Sequence, residues 1–271
     1  MPELPEVETT RRGVEPFLLG QTIHDVIVRE HRLRWPVPPA LAACLSGLVV
    51  REVGRRAKYL LLRFDTGTLL IHLGMSGSLR WVERDALPQK HDHLDLVLAQ
   101  GLLRYRDPRR FGAVLWYPGP IELHPLLRGL GPEPLDSGFD GDTLYQATRG
   151  KQGAIKLLLM NNRLVVGVGN IYANESLFDA GIHPGRAGMA LSRAECQRLA
   201  AAIKLSLTRS IAVGGSTLRD FVGADSRPGY FQQSYKVYGR AELPCPECGT
   251  PIAHFRQGQR SSYYCPGCQP C

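Results

Sequence analysis

Two Cys-x-x-Cys pairs near the C-terminus constrain the fold of this 271-residue chain more than any other pattern. Cys245 and Cys248 form one pair, Cys265 and Cys268 the other, and sixteen residues lie between them. Two thiolates three residues apart can grip one ion from a tight turn, and two such pairs complete a tetrahedral set. Pro246, Gly249, Pro266 and Gly267 supply the turns. The spacing predicts a zinc ribbon, two knuckles joined by a hairpin around one structural Zn²⁺. Four protein ligands leave no position for water, so the ion is expected to hold the fold and not to react. A redox role would need a thioredoxin-like βαβ unit, and neither pair has one around it. Cys44 and Cys196 are expected in the core, and Cys271 has no assigned role.

The rest of the chain changes pattern along its length. Residues 5–19 read as an amphipathic helix, with Val7, Thr10, Val14 and Leu18 on one face and Gly20 as the stop. β-rich runs follow at 23–28, 48–53, 59–64, 68–73, 78–82, 94–98, 102–106 and 113–117, and a short helix fits 39–45. Many short strands with close connections predict a sandwich or barrel. Residues 118–142 are rich in Gly, Pro and Asp and read as a linker. Helices are expected at 154–160, 170–180 and 192–211. The last opens with a capping box, Ser192-x-x-Glu195, and a staple of Leu191 with Cys196. Its core stripe is Cys196, Leu199, Ala200, Ile203 and Leu207, and Gly214-Gly215 ends it. Residues 225–230 read as a mobile loop. Gly167-Val168-Gly169 lacks the third glycine and the βαβ setting of a dinucleotide fingerprint. It reads as a tight turn whose amides, with Asn170 at the next helix start, could hold a phosphate.

A formal charge of +8 and a pI near 9.3 fit a polyanionic partner, nucleic acid being the simplest, or a mildly basic soluble protein. Four thiolates with one Zn²⁺ take back about two of those charges. No apolar run reaches membrane-spanning length, and the acidic N-terminus lacks the layout of a signal peptide. A cytosolic protein is expected, which again makes the paired cysteines metal ligands. Arg55-Arg56-Ala57-Lys58 precedes a strand, and the turn 107–112 (DPRRFG) joins two strands. Phe111 there is either a core residue or a wedge between bases, with Arg109 replacing lost hydrogen bonds. In Lys90-His91-Asp92-His93 the two histidines fall on one face of a strand without an obvious third ligand, which leaves phosphate contact or packing. The ribbon hairpin carries His254, Arg256, Arg260, Tyr263 and Tyr264, which suit a DNA backbone or a solvated face with packed tyrosines.

The chain begins Met1-Pro2-Glu3-Leu4-Pro5-Glu6. Without Met1 the terminus is the secondary amine of Pro2, with Glu3 beside it and Glu6 one turn on. One reading is a helix start, since Pro and Glu suit the first turn. The other is a nucleophile: a secondary amine gives a fixed iminium, an electron sink, and a neighbouring carboxyl shuttles protons.

Taken together, MPELPEVET at the start, HLGMSGSLR at 72–80, DPRRFG at 107–112, VGVGNIYANESLF at 166–178 and the terminal ribbon resemble bacterial formamidopyrimidine-DNA glycosylase over residues 2–269. The start PELPEV, rather than PEGPE, is similar to the purine branch of that superfamily. The resemblance implies an α+β multidomain fold: an N-terminal helix plus β-sandwich (1–120), a linker (121–141), a helical helix–two-turns–helix module that binds DNA (142–234) and a zinc ribbon (235–271). It implies a bifunctional base-excision repair enzyme, a glycosylase and AP lyase, removing oxidised purines (8-oxoguanine, formamidopyrimidines) and cutting the strand by β,δ-elimination.

By the same resemblance Pro2 attacks C1′, Glu3 donates the proton that opens the sugar ring, and Glu6 supports them. Lys58 serves phosphate binding and β-elimination, and Arg260 δ-elimination. Met75, Arg109 and Phe111 fill the space of the flipped base. His91, Lys151 and Asn170 contact DNA phosphates, and residues 223–231 close over the extruded base. The implied partner is double-stranded DNA carrying oxidised purines. The implied protein is a monomer with no organic cofactor and no membrane contact, in the bacterial cytoplasm and nucleoid-associated through DNA. Asn161-Asn162 departs from the family's frequent Asp-Gln, which puts a helix cap or a DNA contact in doubt. Two alternatives stand beside this reading: an oxidised-pyrimidine glycosylase of the same superfamily, and a non-catalytic DNA-binding protein that uses only the ribbon and the helical module.

Overall fold

The computed structural model describes residues 2–214 and 235–271. They divide into two compact units, one running from the N-terminus to Arg128 and the other beginning at Gly129. The 225–230 loop expected from the sequence, and the longer 223–231 stretch, lie outside the described residues.

Helix α1 (Leu4–Leu18) opens the first unit, and Val7, Thr10, Val14 and Leu18 are all buried, as the 3.6-residue period requires. Gly20, at φ +76°, turns the chain out of it. Two antiparallel four-stranded sheets follow. One has the order β1 (Asp25–Val28), β6 (Asp92–Leu98), β7 (Gly101–Arg106), β5 (Ser78–Val82). The other has the order β2 (Glu52–Arg56), β3 (Tyr59–Phe64), β4 (Gly67–His72), β8 (Ala113–Tyr117). Their facing leucines, isoleucines and valines form one core, which includes Leu60, Leu62, Leu69, Ile71, Leu94, Leu96 and Leu103. Two helices each pack on both sheets. α1 packs on β2 of one sheet and β5 of the other, and α2 (Leu41–Leu45) on β1 and β8. Each of the four edge strands thus packs against a helix.

The outer face of the first sheet carries charge. Asp95 and Arg104 are buried and paired at 2.9 Å, and Arg104 also donates to the carbonyls of Ala86 and Leu87. That pins the 83–91 loop over the sheet. The strand expected to hold His91 and His93 on one face does not do so. His91 lies before β6 at φ +75°, and the register shifts between Asp92 and Leu94.

The second unit packs α3 (Gly141–Thr148) and α5 (Asn170–Asp179) against α6 (Arg193–Ala212), with α4 (Ile155–Leu159) beside α5. α6 starts as its sequence predicts: Ser192 Oγ accepts from the Glu195 N–H at 3.2 Å, and Glu195 Oε2 accepts from the Ser192 N–H at 2.8 Å. All five residues of its expected stripe are buried. α3 is not among the helices read from the sequence. Its start is set by Asp140, which accepts from the Thr143 N–H at 2.7 Å. Asn161 follows α4 and its Oδ1 accepts from the Arg163 N–H at 3.0 Å, a local turn that an aspartate there would make equally well. The hairpin β9 (Ala253–Gln257) and β10 (Arg260–Tyr264) forms the ribbon, and β10 lies on α5. No described helix is long and apolar enough to cross a membrane.

Candidate active site and zinc centre

The head of α1 is built by its own first turn. Glu3 is the N-cap, and its N–H donates to Glu6 Oε2 at 2.8 Å while its side chain accepts from the Glu6 N–H. Glu3 therefore does have a helix-start role, in addition to Pro5 and Glu6. Pro2, Glu3 and Glu6 are all buried. The reciprocal cap fixes Glu3, the residue that follows Pro2.

Lys58 sits in a two-residue hairpin between Arg56 and Tyr59, with Ala57 at φ +54°. Such loops favour glycine at that first position, so an alanine there holds the Lys58 backbone in a strained, specific turn. Lys58 is about nine-tenths buried. Across the β3–β4 ladder His72 faces Tyr59, with ring centroids 4.9 Å apart. Burial and the cations of Lys58 and Arg34 push the His72 pKa down to about 4. Its Nδ1 accepts from the Gly74 N–H at 3.0 Å, which fits a neutral ring.

The 107–112 turn presents Arg109 and Phe111 to solvent. Phe111 is 42% exposed and is not a core residue. The Arg109 guanidinium carbon lies 4.8 Å from the Phe111 ring centre, a cation–π contact that keeps the two side chains together. Met75 stands on the neighbouring turn and is partly buried. Gly74, at φ +63°, lets the turns approach, because a Cβ on it would lie 2.5 Å from the Phe111 backbone. Under both turns is Asp107, with no exposed surface and hydrogen bonds to Ser76, Gly112, Tyr105 and the Arg109 N–H.

In the second unit Asn170 opens α5, behind Gly169 as N-cap and a turn at Gly167, φ +79°. Among the described residues its buried Oδ1 has no hydrogen-bond partner. Lys151 is exposed within the α3–α4 connection, its backbone held by Thr148 and Met189. Arg260 is exposed and follows a two-residue turn in which Gly258 (φ +54°) and Gln259 (φ +65°) both take the left-handed form that matches hairpin twist. Behind it β10 is anchored. The buried Lys156 ammonium donates to the Ser261 carbonyl at 2.7 Å and Ser262 Oγ at 2.8 Å, and Asn174 Oδ1 accepts from the Tyr263 N–H at 2.7 Å. Buried Glu175 accepts the N–H groups of Lys236, Val237 and Tyr238 at 2.8, 3.0 and 2.8 Å, which ties the lead-in of the ribbon to α5.

The Sγ atoms of Cys245, Cys248, Cys265 and Cys268 all lie within 4.8 Å of one another. Cys245–Cys268, Cys248–Cys265 and Cys248–Cys268 are 3.9, 3.4 and 3.5 Å apart. A tetrahedral ion with Zn–S bonds of about 2.3 Å spaces its sulfurs by about 3.8 Å, so the donor set fits Zn²⁺ closely. The N–H groups of Glu247 and Cys268 point at Cys245 Sγ and Cys265 Sγ, both at 3.4 Å, as expected for thiolate knuckles. This is one closed, structural zinc site.

Pro2, Glu3, Glu6, Lys58, Met75, His91, Arg109 and Phe111 thus belong to the first unit, and Lys151, Asn170, Arg260 and the four cysteines to the second. The sequence reading passed over the buried polar groups that hold them: Asp107, Ser76, Lys156, Asn174 and Glu175. Only Asp107 carried a local signal, as the first residue of a turn.

Comparisons with known proteins agree over the whole chain. Residues 1–114 match the formamidopyrimidine-DNA glycosylase N-terminal domain, and 130–222 the H2TH domain of the same enzymes. Residues 242–270 match the zinc finger found in FPG and IleRS. The formamidopyrimidine-DNA glycosylase of Thioalkalivibrio sulfidiphilus is 60% identical over 270 residues, 99% of this chain and 100% of the relative. The crystal structure of the Fpg protein of Thermus thermophilus superposes with a TM-score of 0.89 at 39% identity, covering 99% of this chain and 98% of that one. A Lactococcus lactis Fpg variant in complex with Fapy-dG-containing DNA superposes with a TM-score of 0.93 at 34% identity, covering all of both chains.

Proposed function

The chain belongs to the formamidopyrimidine-DNA glycosylase family, and from that premise we propose that it excises oxidised purines from duplex DNA and then cuts the strand. The observation that carries this reading is the N-terminus. A proline that becomes the terminal amine is buried directly before the capped first turn of a helix, and Glu3 and Glu6, the two residues of that cap, are buried as well.

The chemistry follows from those groups. The Pro2 nitrogen forms a bond to C1′ as the glycosidic bond breaks and the base leaves with its electron pair. Glu3 gives a proton to the ring oxygen, the sugar opens, and C1′ becomes an iminium. That cation acidifies C2′, so loss of a C2′ proton expels the 3′ phosphate, and a second elimination expels the 5′ phosphate. Hydrolysis of the imine then frees Pro2. Lys58, held in its strained hairpin, serves the phosphate and the first elimination, and Arg260 the second. Glu6 supports Glu3 through the cap. Met75, Arg109 and Phe111 occupy the space of the extruded base, and His91, Lys151 and Asn170 hold phosphates. The sandwich body (1–120) carries the chemistry, 121–141 links it to the helix–two-turns–helix module (142–234), and the ribbon (235–271) carries Arg260. When bound, zinc supplies no chemistry and holds the ribbon in shape. The enzyme works as a monomer in the bacterial cytoplasm, on nucleoid DNA.

The test is reductive trapping. Incubated with an 8-oxoguanine duplex and borohydride, the protein should form a covalent adduct through Pro2. Absence of an adduct on oxidised-purine duplexes, with normal DNA binding, would favour a binding module. Trapping on thymine glycol duplexes alone would favour the pyrimidine branch.

A further inference from the structure

Asp107 joins three loops that are far apart in sequence. Oδ1 accepts from Ser76 Oγ at 2.7 Å and from the Arg109 N–H at 3.3 Å. Oδ2 accepts from the Gly112 N–H at 2.8 Å and from the Tyr105 hydroxyl at 3.3 Å. Its backbone continues the pattern. The Asp107 N–H donates to the His91 carbonyl at 3.1 Å, and the Asp107 carbonyl accepts from the Arg110 N–H at 3.1 Å and contacts His93 Nε2 at 2.7 Å. One residue thereby fixes the turn that holds Met75, the turn that ends at His91, and the turn that holds Arg109 and Phe111. The packing leaves no slack. A Cβ on Gly112 would lie 1.8 Å from the Tyr105 hydroxyl.

Side chains that must enter a duplex together gain from being ordered beforehand, because loop ordering otherwise opposes the insertion itself. A buried carboxylate with four donors is suited to that. Its bonds are charge-assisted, and removing it leaves buried donors unpaired. We propose that Asp107 is the positioning residue that makes Met75, Arg109 and Phe111 one preformed insertion unit and keeps His91 in register with it. This rests on the assignment of those side chains to the space left by the extruded base.

The test compares single-turnover excision of 8-oxoguanine from two duplexes. In one the lesion is paired with cytosine. In the other it faces a one-nucleotide gap, so no base is orphaned. Asp107→Asn should slow the paired duplex roughly ten-fold or more, the size expected for losing hydrogen bonds to a charged group, Phe111→Ala should slow it as well, and both should slow the gapped duplex markedly less. Ser76→Ala cuts the Ser76–Asp107 bond and the 3.2 Å bond that Ser76 Oγ accepts from the Arg109 N–H, so it should show a smaller loss, again larger on the paired duplex, and combine less than additively with Asp107→Asn. If Asp107→Asn does not fold, Ser76→Ala carries the comparison. Equal losses on both duplexes would make Asp107 a fold residue only and overturn the proposal. A slow Phe111→Ala beside normal Asp107→Asn and Ser76→Ala would overturn it while leaving the insertion reading intact. A normal Phe111→Ala would remove the insertion reading, and the proposal with it.

Discussion

Glu6 holds Glu3 by its backbone: the Glu3 N–H donates to Glu6 Oε2 at 2.8 Å, and neither side chain reaches solvent. The two carboxylates of the opening motif therefore differ in what they do for the fold. Glu6 serves as the far half of a capping box, where Glu and Gln are equally competent. Glu6→Ala should cost about 1 kcal/mol of stability and slow imine trapping by disordering Pro2. Glu6→Gln should restore both. Thermal melts beside trapping yields check this, and a Gln variant as slow as the Ala variant would mean that Glu6 acts through its charge.

Retention of Met1 should abolish excision and spare DNA binding. Only a free terminal amine has the lone pair for attack on C1′, and with Met1 attached the Pro2 nitrogen is an amide. Mass spectrometry of the terminus beside excision and gel-shift assays tests this. Full excision by a protein verified to keep Met1 would remove Pro2 as the nucleophile.

Cys245→Ser or Cys268→Ser should release the metal. Each opens a closed four-thiolate site on a hairpin whose small core of Val237, Ile252 and Phe178 also includes Cys245 and Cys265. Arg260 then loses its platform, and DNA affinity should fall. One zinc per chain with normal affinity in both variants would contradict this.

Local pattern made much of this fold legible. Strands β3, β5 and β8 have the bounds read from their apolar runs, and the Ser192–Glu195 cap marks α6 because its chemistry is contained in four residues. Short α3 was missed because Gly141 opens it and a Gly- and Asp-rich stretch precedes it. The cysteine set was legible for the same local reason as the cap. The supports of the site were not. Asp107 meets Ser76 and His91 across 31 and 16 positions, and Lys156 meets Ser261 across 105. No periodicity encodes such pairs, since they exist only once the sheets and helices are packed. Phe111 is a case between these. The sequence left it between core and surface, and exposure decides it.

His72 should make the first unit sensitive to mild acid. Its pKa lies near 4 in the folded protein, against an ordinary value of 6.5. The unfolded chain therefore binds a proton at higher pH than the folded one. The contribution is fully present above about pH 6.5 and is lost progressively as pH falls toward 4. Asn at this position can accept from the Gly74 N–H and does not titrate. In His72→Asn the melting temperature should fall less between pH 6.5 and 4.5 than in the unaltered protein. Parallel slopes over that interval would show that His72 is not the group responsible.

Phe111 should matter for rate and hardly at all for stability. Extruding a base costs a few kcal/mol in unstacking and unpairing, and an aromatic ring wedged beside the orphaned base recovers part of it. The ring is 42% exposed and rests against the Arg109 guanidinium rather than in the core. Truncating a buried phenylalanine costs about 3–5 kcal/mol of stability, and a half-exposed one far less. Phe111→Ala should therefore melt close to the unaltered protein while excising 8-oxoguanine from a paired duplex much more slowly. The two measurements belong on the same preparation: melting temperature and single-turnover rate. A large drop in melting temperature with a near-normal rate would make Phe111 a packing residue and take it out of the mechanism.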